Sequence, residues 1–316
     1  MSGDRILVVC GPTATGKTRL GIELARRWDG EIVSADSMQL YRGMDIGTAK
    51  ASAAERAAVP HHMLDVAEPQ ESYSVARYVR EATRCCEELL SCGKLPVVVG
   101  GTGLYIDALI AGHDFAEADT SGDESLREKL KADYDALGGE AMLERLRQID
   151  PARAQKLAPG DKRRIVRAIE IWTLTGKTIS EHDEQTRRRP PRFEALRIVL
   201  NYASRAALYK RIDQRVEEMA AQGLFDEVQG LLERGLSPES TAMQAIGYKE
   251  AALALRGELS REEAIAQIQQ ASRRYAKRQL TWFRRAEEAL WIEWADAPDM
   301  EAALARIEAR FGEKLR

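Results

Sequence analysis

The sequence predicts an α/β fold: an open parallel sheet with helices on both faces, an all-helical insert, and a helical C-terminal part. Three observations carry that prediction. Short β-branched apolar runs alternate with helical stretches over the first hundred residues. Residues from about 114 to 189 show helical periodicity and no strand-like run. A glycine-rich turn joins the first apolar run to the first helical stretch.

Ile6-Leu7-Val8-Val9, Ile32-Val33, Pro96-Val97-Val98-Val99 and Ile198-Val199-Leu200 read as short strands buried on both faces, the pattern of a parallel sheet. Thr18 to Arg27 reads as a helix, as does Tyr73 to Leu90, with Val75, Tyr78, Val79, Ala82 and Cys86 on one face. In the insert the apolar spacing runs through Leu126, Leu130 and Leu137, then Met142 and Leu146, then Ile165, Ile169 and Trp172. The run Arg187-Arg188-Arg189-Pro190-Pro191-Arg192 reads as a stiff basic hinge where the insert rejoins the core. After the strand near Leu200 the chain reads as helical almost to its end, apart from a turn at 235–238. The expected division is therefore a core of 1–113 with 190–316, and an insert of 114–189.

Gly11-Pro12-Thr13-Ala14-Thr15-Gly16-Lys17-Thr18 fits G-x-x-x-x-G-K-[ST] in full, with a strand running in and a helix running out. Backbone N–H groups of such a turn face an anion, and the helix N-terminus adds partial positive charge. Lys17 would reach the terminal phosphates and the Thr18 hydroxyl would sit on Mg²⁺. The fold expectation becomes P-loop NTPase-like, with a polyphosphate or diphosphate ligand. The motif does not say whether the phosphate or its attached carbon is transferred.

Ligands in open α/β sheets sit beyond the carboxyl ends of the strands. Ser34 to Arg42 follows the second strand and Gly100-Gly101-Thr102-Gly103-Leu104-Tyr105 the third. Asp36 reads as a general base, as a partner to Mg²⁺ through water, or as a cap or turn residue. Gly100-Gly101 suggests close backbone approach by a ligand, with the Thr102 hydroxyl beside it. Tyr105 divides between packing and lining the site. Trp282 reads as a core or interface aromatic before a base-stacking platform, and His61-His62 as a loop pair.

The 316 residues carry 47 basic and 50 acidic side chains, a net charge of -3, which argues against a uniformly basic nucleic-acid binder. Position says more than total. Residues 114–150 hold 11 acidic against 5 basic groups, while Arg273 to Arg285 holds six basic groups and no acid. On a helix Arg274, Lys277, Arg278 and Arg285 share one face, and Ala276, Leu280 and Phe283 share the other. A basic stripe on a packed helix suits phosphate-backbone contact. Four cysteines with no C-x-x-C pair, and four histidines, make no metal ladder; free thiols in a cytoplasmic protein fit better. No membrane span is expected.

Five motifs now stand in order: 11–18, Ser-Ala-Asp-Ser-Met-Gln-Leu-Tyr-Arg at 34–42, 100–105, Ala-Met-Gln-Ala-Ile-Gly-Tyr-Lys-Glu at 242–250, and Arg-Gln-Leu-Thr-Trp-Phe-Arg at 278–284. With them the chain closely resembles the bacterial tRNA dimethylallyltransferases (tRNA isopentenyltransferases) from residue 5 to about 294. The resemblance implies transfer of a dimethylallyl group from dimethylallyl diphosphate to N6 of adenosine 37, in tRNAs reading codons that begin with U. The loop at 11–18 would then hold a prenyl diphosphate rather than ATP. By the family pattern Asp36 is the base and Thr102 contacts tRNA and orients the diphosphate. Arg211 and Arg215 lie near the diphosphate. Contact with the anticodon stem-loop falls to Asp36, Ser37, Met38 and Gln39, to Arg127, to Arg163, Arg164, Ile165, Val166 and Arg167, and to Gln244, Ala245, Ile246, Gly247, Tyr248 and Lys249. The family usually carries Gln-Arg-Ile where this chain has Arg163-Arg164-Ile165; the basic character is kept. A monomer is expected. A small-molecule kinase using ATP, or a P-loop RNA-binding regulator without transferase chemistry, would share the phosphate loop but leave the later motifs or Asp36 unexplained.

Overall fold

The computed structural model describes residues 4–112, 124–286 and 288–315. β1 (Arg5–Cys10) leads through the glycine turn into α1 (Lys17–Arg27). There follow β2 (Gly30–Ser34), α2 (Ala53–Ala58), the two-residue β3 (His61–His62), α3 (Val75–Ser91), β4 (Leu95–Gly100) and α4 (Gly103–Ala111). Next come α5 (Glu124–Leu137), α6 (Gly139–Ile149), α7 (Pro151–Ala154), α8 (Lys162–Thr175) and α9 (Ile179–Arg188). The chain then forms β5 (Glu194–Tyr202), α10 (Arg205–Ala221), α11 (Leu224–Glu233), a 3-10 turn (Ala242–Gln244), α12 (Tyr248–Leu255), α13 (Arg261–Phe283), β6 (Leu290–Trp294) and α14 (Met300–Leu315).

The strands form one six-stranded sheet in the order β3-β2-β4-β1-β5-β6, every pair parallel. Leu7, Val9, Val97 and Ile198 pack with Leu24 of α1 and Ile307 and Phe311 of α14. The alternating residues Ile6, Val8, Val98 and Val199 are also fully buried. On their face α3 covers β2 and β4 with Tyr78, Val79 and Ala82. Burial on both faces is why these runs are uninterrupted and β-branched. From β1 the chain goes to β2 on one side; from β5 it goes to β6 on the other. Loops leaving adjacent strands in opposite directions open a crevice at their carboxyl ends.

Two strands depart from expectation. His61 and His62 pair with Ile32 and Val33 instead of forming a loop, and His62 Nε2 meets Glu31 Oε2 at 2.7 Å. β6 lies where the sequence read as helical. Ile292 and Trp294 point inward and Glu293 outward, the alternation of an edge strand paired on one side.

The chain forms two compact units, Met1–Ile110 with Phe193–Arg316, and Ala111–Arg192. The expected start of the insert at residue 114 lies outside the described residues. The second unit has its own core, with Leu130, Met142, Leu146, Ile165 and Ile169 buried and Leu126 packed against them. Leu137 and Trp172, expected on the inner stripe, are 63% and 40% exposed because the stripe runs past the packed core at the ends of α5 and α8. The basic hinge is shorter than expected: α9 continues through Arg188, and Arg189 is the first extended residue.

Candidate active site

A cleft of about 1180 Å³ opens at the carboxyl ends of β1 and β5, lined by Thr13 through Arg19 of the glycine turn and its helix. Gly11 is required at the turn's start: φ is +138°, and a Cβ would stand 2.3 Å from Leu200 O of β5. Ala14 is left-handed, with φ of 66°. Thr15 Oγ1 donates to Pro12 O (2.9 Å), and Trp294 Nε1 of β6 donates to Thr15 O (2.9 Å). No side chain caps α1, so its N-terminal amides stay open to an anion. The Thr18 hydroxyl lines the cleft.

Lys17 Nζ donates to Pro12 O at 2.7 Å. Burial, then the nearby Arg215 guanidinium, lower its pKa to about 8, against the pull of Asp36. Arg215 is itself shifted down, by burial and then by Arg211. Among the described residues Arg215 has no hydrogen-bond or ion-pair partner. Arg211 is held by Glu218 at 2.7 and 3.1 Å. With Arg211 paired to Glu218, Lys17 and Arg215 face the single carboxylate of Asp36 and leave an excess of positive charge, which suits a diphosphate.

β4 lies between β1 and β2, so Asp36 reaches the phosphate loop from one strand further away than Gly100 does. Asp36 Oδ1 accepts from Met38 N (2.9 Å) and Gln39 N (3.4 Å), the turn role weighed from sequence. The same residue lines the cleft, as do Ser37, Met38 and Gln39. Thr102 differs from expectation. Its Oγ1 accepts from Ser37 N (3.1 Å) and donates to Ser37 Oγ (3.4 Å), and it is not among the cleft-lining residues. Thr102 therefore braces the Asp36 loop. Gly100 lines the cleft, and both it and Gly101 are close-packed against protein on the side a Cβ would take. A Cβ on Gly100 would meet Ala35 O at 2.1 Å, and one on Gly101 would meet Gln279 Nε2 at 2.3 Å.

Gln244, Ala245, Ile246 and Gly247 line the cleft. Tyr248, expected to touch tRNA, is fully buried, and its hydroxyl donates to Glu227 Oε1 (2.5 Å). Lys249 is exposed outside the cleft lining. Sequence reasoning missed Glu227. Its carboxylate also takes the amides of Asp45, Ile46 and Gly47 at 2.8, 2.8 and 3.2 Å, tying α11 to a cleft-lining loop. It missed Lys50 too, a fully buried ammonium held by Asp45 and Asp65, each at 2.6 Å.

Along α13, Arg274, Lys277 and Arg278 are exposed, as is Arg285 just past its end, while Ala276 and Phe283 are buried. Trp282 packs against Gly103 and donates Nε1–H to Asp107 Oδ2 (2.7 Å), so it is an interface aromatic. Tyr105 is buried and stacks on Tyr78 at 4.2 Å. The buried Gln279 was missed. Its neighbour Gly101 was the available signal, since a glycine there marks close approach by another element.

In the helical unit Arg163 and Arg164 are exposed. Ile165 and Val166, expected at the tRNA contact, are instead core residues at 0% and 4% exposure. On a helix Ile165 falls opposite Arg163, and Val166 falls opposite Arg164. Arg127 Nε and Arg167 Nη1 donate to the two oxygens of the fully buried Glu170, each at 3.0 Å.

A glycine turn at a helix N-terminus, in the crevice of a parallel sheet, stands with Lys17 and Arg215 beside the carboxylate of Asp36, an arrangement suited to an anion. The chain's architecture is the P-loop NTPase-like one that the sequence predicts. Residues 39–286 match the IPP transferase family, and residues 4–67 match isopentenyl transferase. The chain belongs to the IPP transferase family. It is 47% identical over 304 residues to the tRNA dimethylallyltransferase of Pelotomaculum thermopropionicum, covering 96% of this chain and 95% of the relative. The tRNA isopentenylpyrophosphate transferase of Bacillus halodurans, a solved structure, is 41% identical with a TM-score of 0.72, covering 99% and 97%. A eukaryotic dimethylallyltransferase solved while acting on tRNA is 27% identical with a TM-score of 0.77, covering 98% of this chain and 77% of that one.

Proposed function

We propose that the protein transfers the dimethylallyl group of dimethylallyl diphosphate to N6 of adenosine 37, in tRNAs reading codons that begin with U, and releases diphosphate. The observation that carries this reading is one cleft holding Asp36, Lys17 and the unpartnered Arg215 together. An exocyclic adenine amine is a weak nucleophile, so the leaving group must be stabilised strongly. The N6 lone pair forms the new bond to the allylic carbon as the carbon–oxygen bond breaks and its electron pair goes to diphosphate. Lys17, Arg215 and the amides at the start of α1 receive that charge. The N6 proton passes to Asp36, whose Oδ1 is held by its turn and whose Oδ2 has no hydrogen-bond partner among the described residues.

Magnesium fits the same cleft. Thr18 Oγ1 lines it without a hydrogen-bond partner among the described residues, and Asp36 lines it too, suited to a water-mediated contact. Bound there with the diphosphate, the ion neutralises leaving-group charge. Met38, Ile46 and Ile246 give the cleft apolar wall for a prenyl chain. Adenosine 37 must leave the anticodon-loop stack to reach it. Gln244 to Gly247 and the exposed face of α13 would take the loop and its phosphates, and Arg163 and Arg164, exposed on the helical unit, would add further phosphate contacts. The proposed state is a monomer. No helix among the described residues is long and apolar enough to cross a membrane, and the proposed compartment is the cytoplasm, where tRNA is.

The test is incubation with dimethylallyl diphosphate, Mg²⁺ and unmodified tRNA carrying A36-A37-A38, followed by nucleoside mass spectrometry. Isopentenyladenosine is the expected product. Its absence, with ATP hydrolysed or its phosphate transferred instead, would establish the kinase alternative.

A further inference from the structure

Two sequence motifs that read as separate, 100–105 and 278–284, meet as one joint. Gln279 is 5% exposed on a helix whose adjacent residue, Arg278, is exposed. Its Oε1 accepts the Thr13 amide of the phosphate loop at 3.0 Å. Its Nε2 donates to Gly101 O, in the loop after β4, at 2.9 Å. One turn earlier the Tyr275 hydroxyl interacts with both Gln279 and Thr102, and Asp36 lies within electrostatic reach. Thr102 in turn braces Ser37. Hydrogen bonds thus run from Thr13 through Gln279 to Gly101, whose chain neighbour Thr102 holds Ser37 in the loop of Asp36, with Tyr275 beside Gln279 and Thr102. Gly101 has no Cβ because the Gln279 amide occupies that space.

We propose that Gln279 is a positioning residue that fixes the phosphate loop against the Asp36 loop, with Tyr275 relaying the contact. Its two amide atoms are both engaged by the backbone of Thr13 and Gly101, so it acts through those loops. By taking the Thr13 amide it withdraws that donor from the anion and leaves the amides nearer α1 to bind it. A glutamine is required because the joint needs an acceptor toward Thr13 and a donor toward Gly101 on one planar group. Glutamate keeps the acceptor, loses the donor and adds charge. Methionine keeps the bulk and leaves both backbone groups unsatisfied.

The proposal rests on the diphosphate reading of the phosphate loop. Inorganic diphosphate is therefore the probe, measured by calorimetry with Mg²⁺ on the full chain, so that the result does not depend on which acceptor is used. Gln279→Met should weaken diphosphate binding about tenfold or more with tRNA affinity within about twofold, and Gln279→Glu should weaken it further. Tyr275→Phe, which removes only the hydroxyl, should bind diphosphate like the unaltered protein. It should slow single-turnover transfer about tenfold, because it loosens the Asp36 side of the joint alone. Folded Met and Glu variants that bind diphosphate normally would overturn the proposal, whatever their melting temperature. If Gln279→Met does not fold, the near-isosteric Glu variant and Tyr275→Phe decide: normal diphosphate binding in the first, or an unchanged transfer rate in the second, rejects the joint. Lack of diphosphate binding by the unaltered protein would reject the function proposed above instead.

Discussion

Asp36 has one carboxylate oxygen tied to the amides of Met38 and Gln39, so the turn survives a change that spares that oxygen. Asp36→Asn should therefore fold normally and hold tRNA, yet turn over roughly 10²-fold more slowly; equal turnover rates would remove Asp36 from the base role. Lys17 gives a pH signature. Its pKa is lowered to about 8 by burial and by Arg215, so the ammonium that attracts diphosphate is lost as pH rises through that value. Diphosphate affinity should fall above pH 8 by at most about one decade per unit. Binding near pH 8.5 should take up protons, seen as a buffer-dependent calorimetric heat. At this scale the charged residues were legible, since Lys17 and Asp36 sit in motifs with a chemical reason. Gln279, Glu227 and Lys50 were not, because each has meaning only through a backbone group or partner far along the chain.

α13 has opposite faces with different duties: Gln279 and Phe283 inward, Arg274, Lys277 and Arg278 outward. Replacing Arg274 and Lys277 with Gln should reduce the salt slope of tRNA binding by about 1 to 2 and leave diphosphate binding alone. An unaltered slope would mark that face as merely solvated. Glu227 binds three loop amides and the Tyr248 hydroxyl. Glu227→Ala should thus cost about 2 kcal/mol in urea unfolding and loosen the cleft wall at 45–47. Elements were readable where burial is two-sided. β1, β4 and β5 announce themselves by β-branched runs. β3 and β6 are edge strands, one of two residues and one interrupted by Glu293, and such strands need no continuous apolar run. The alternation of Ile292 and Trp294 about Glu293 was present but brief.

The molecule's near-neutral charge conceals a cationic cleft, an exposed basic face on α13, and an acidic stretch in the helical unit. Sequence reading recovered that partition because it followed position rather than total. The helical unit has a separate core of Leu130, Met142, Leu146 and Ile169. Leu146→Ala, a fully buried site, should cost about 3 kcal/mol. Hydrogen exchange should localise the loss to 124–188 while diphosphate binding persists. A different consequence follows from Trp294, whose indole secures the Thr15 carbonyl across a separation of 279 residues. The phosphate loop leaves the ribosome 279 residues ahead of its indole brace. A nascent chain therefore carries the binding motif long before it carries the binding site, and truncated translation products would not compete with finished enzyme for prenyl donor.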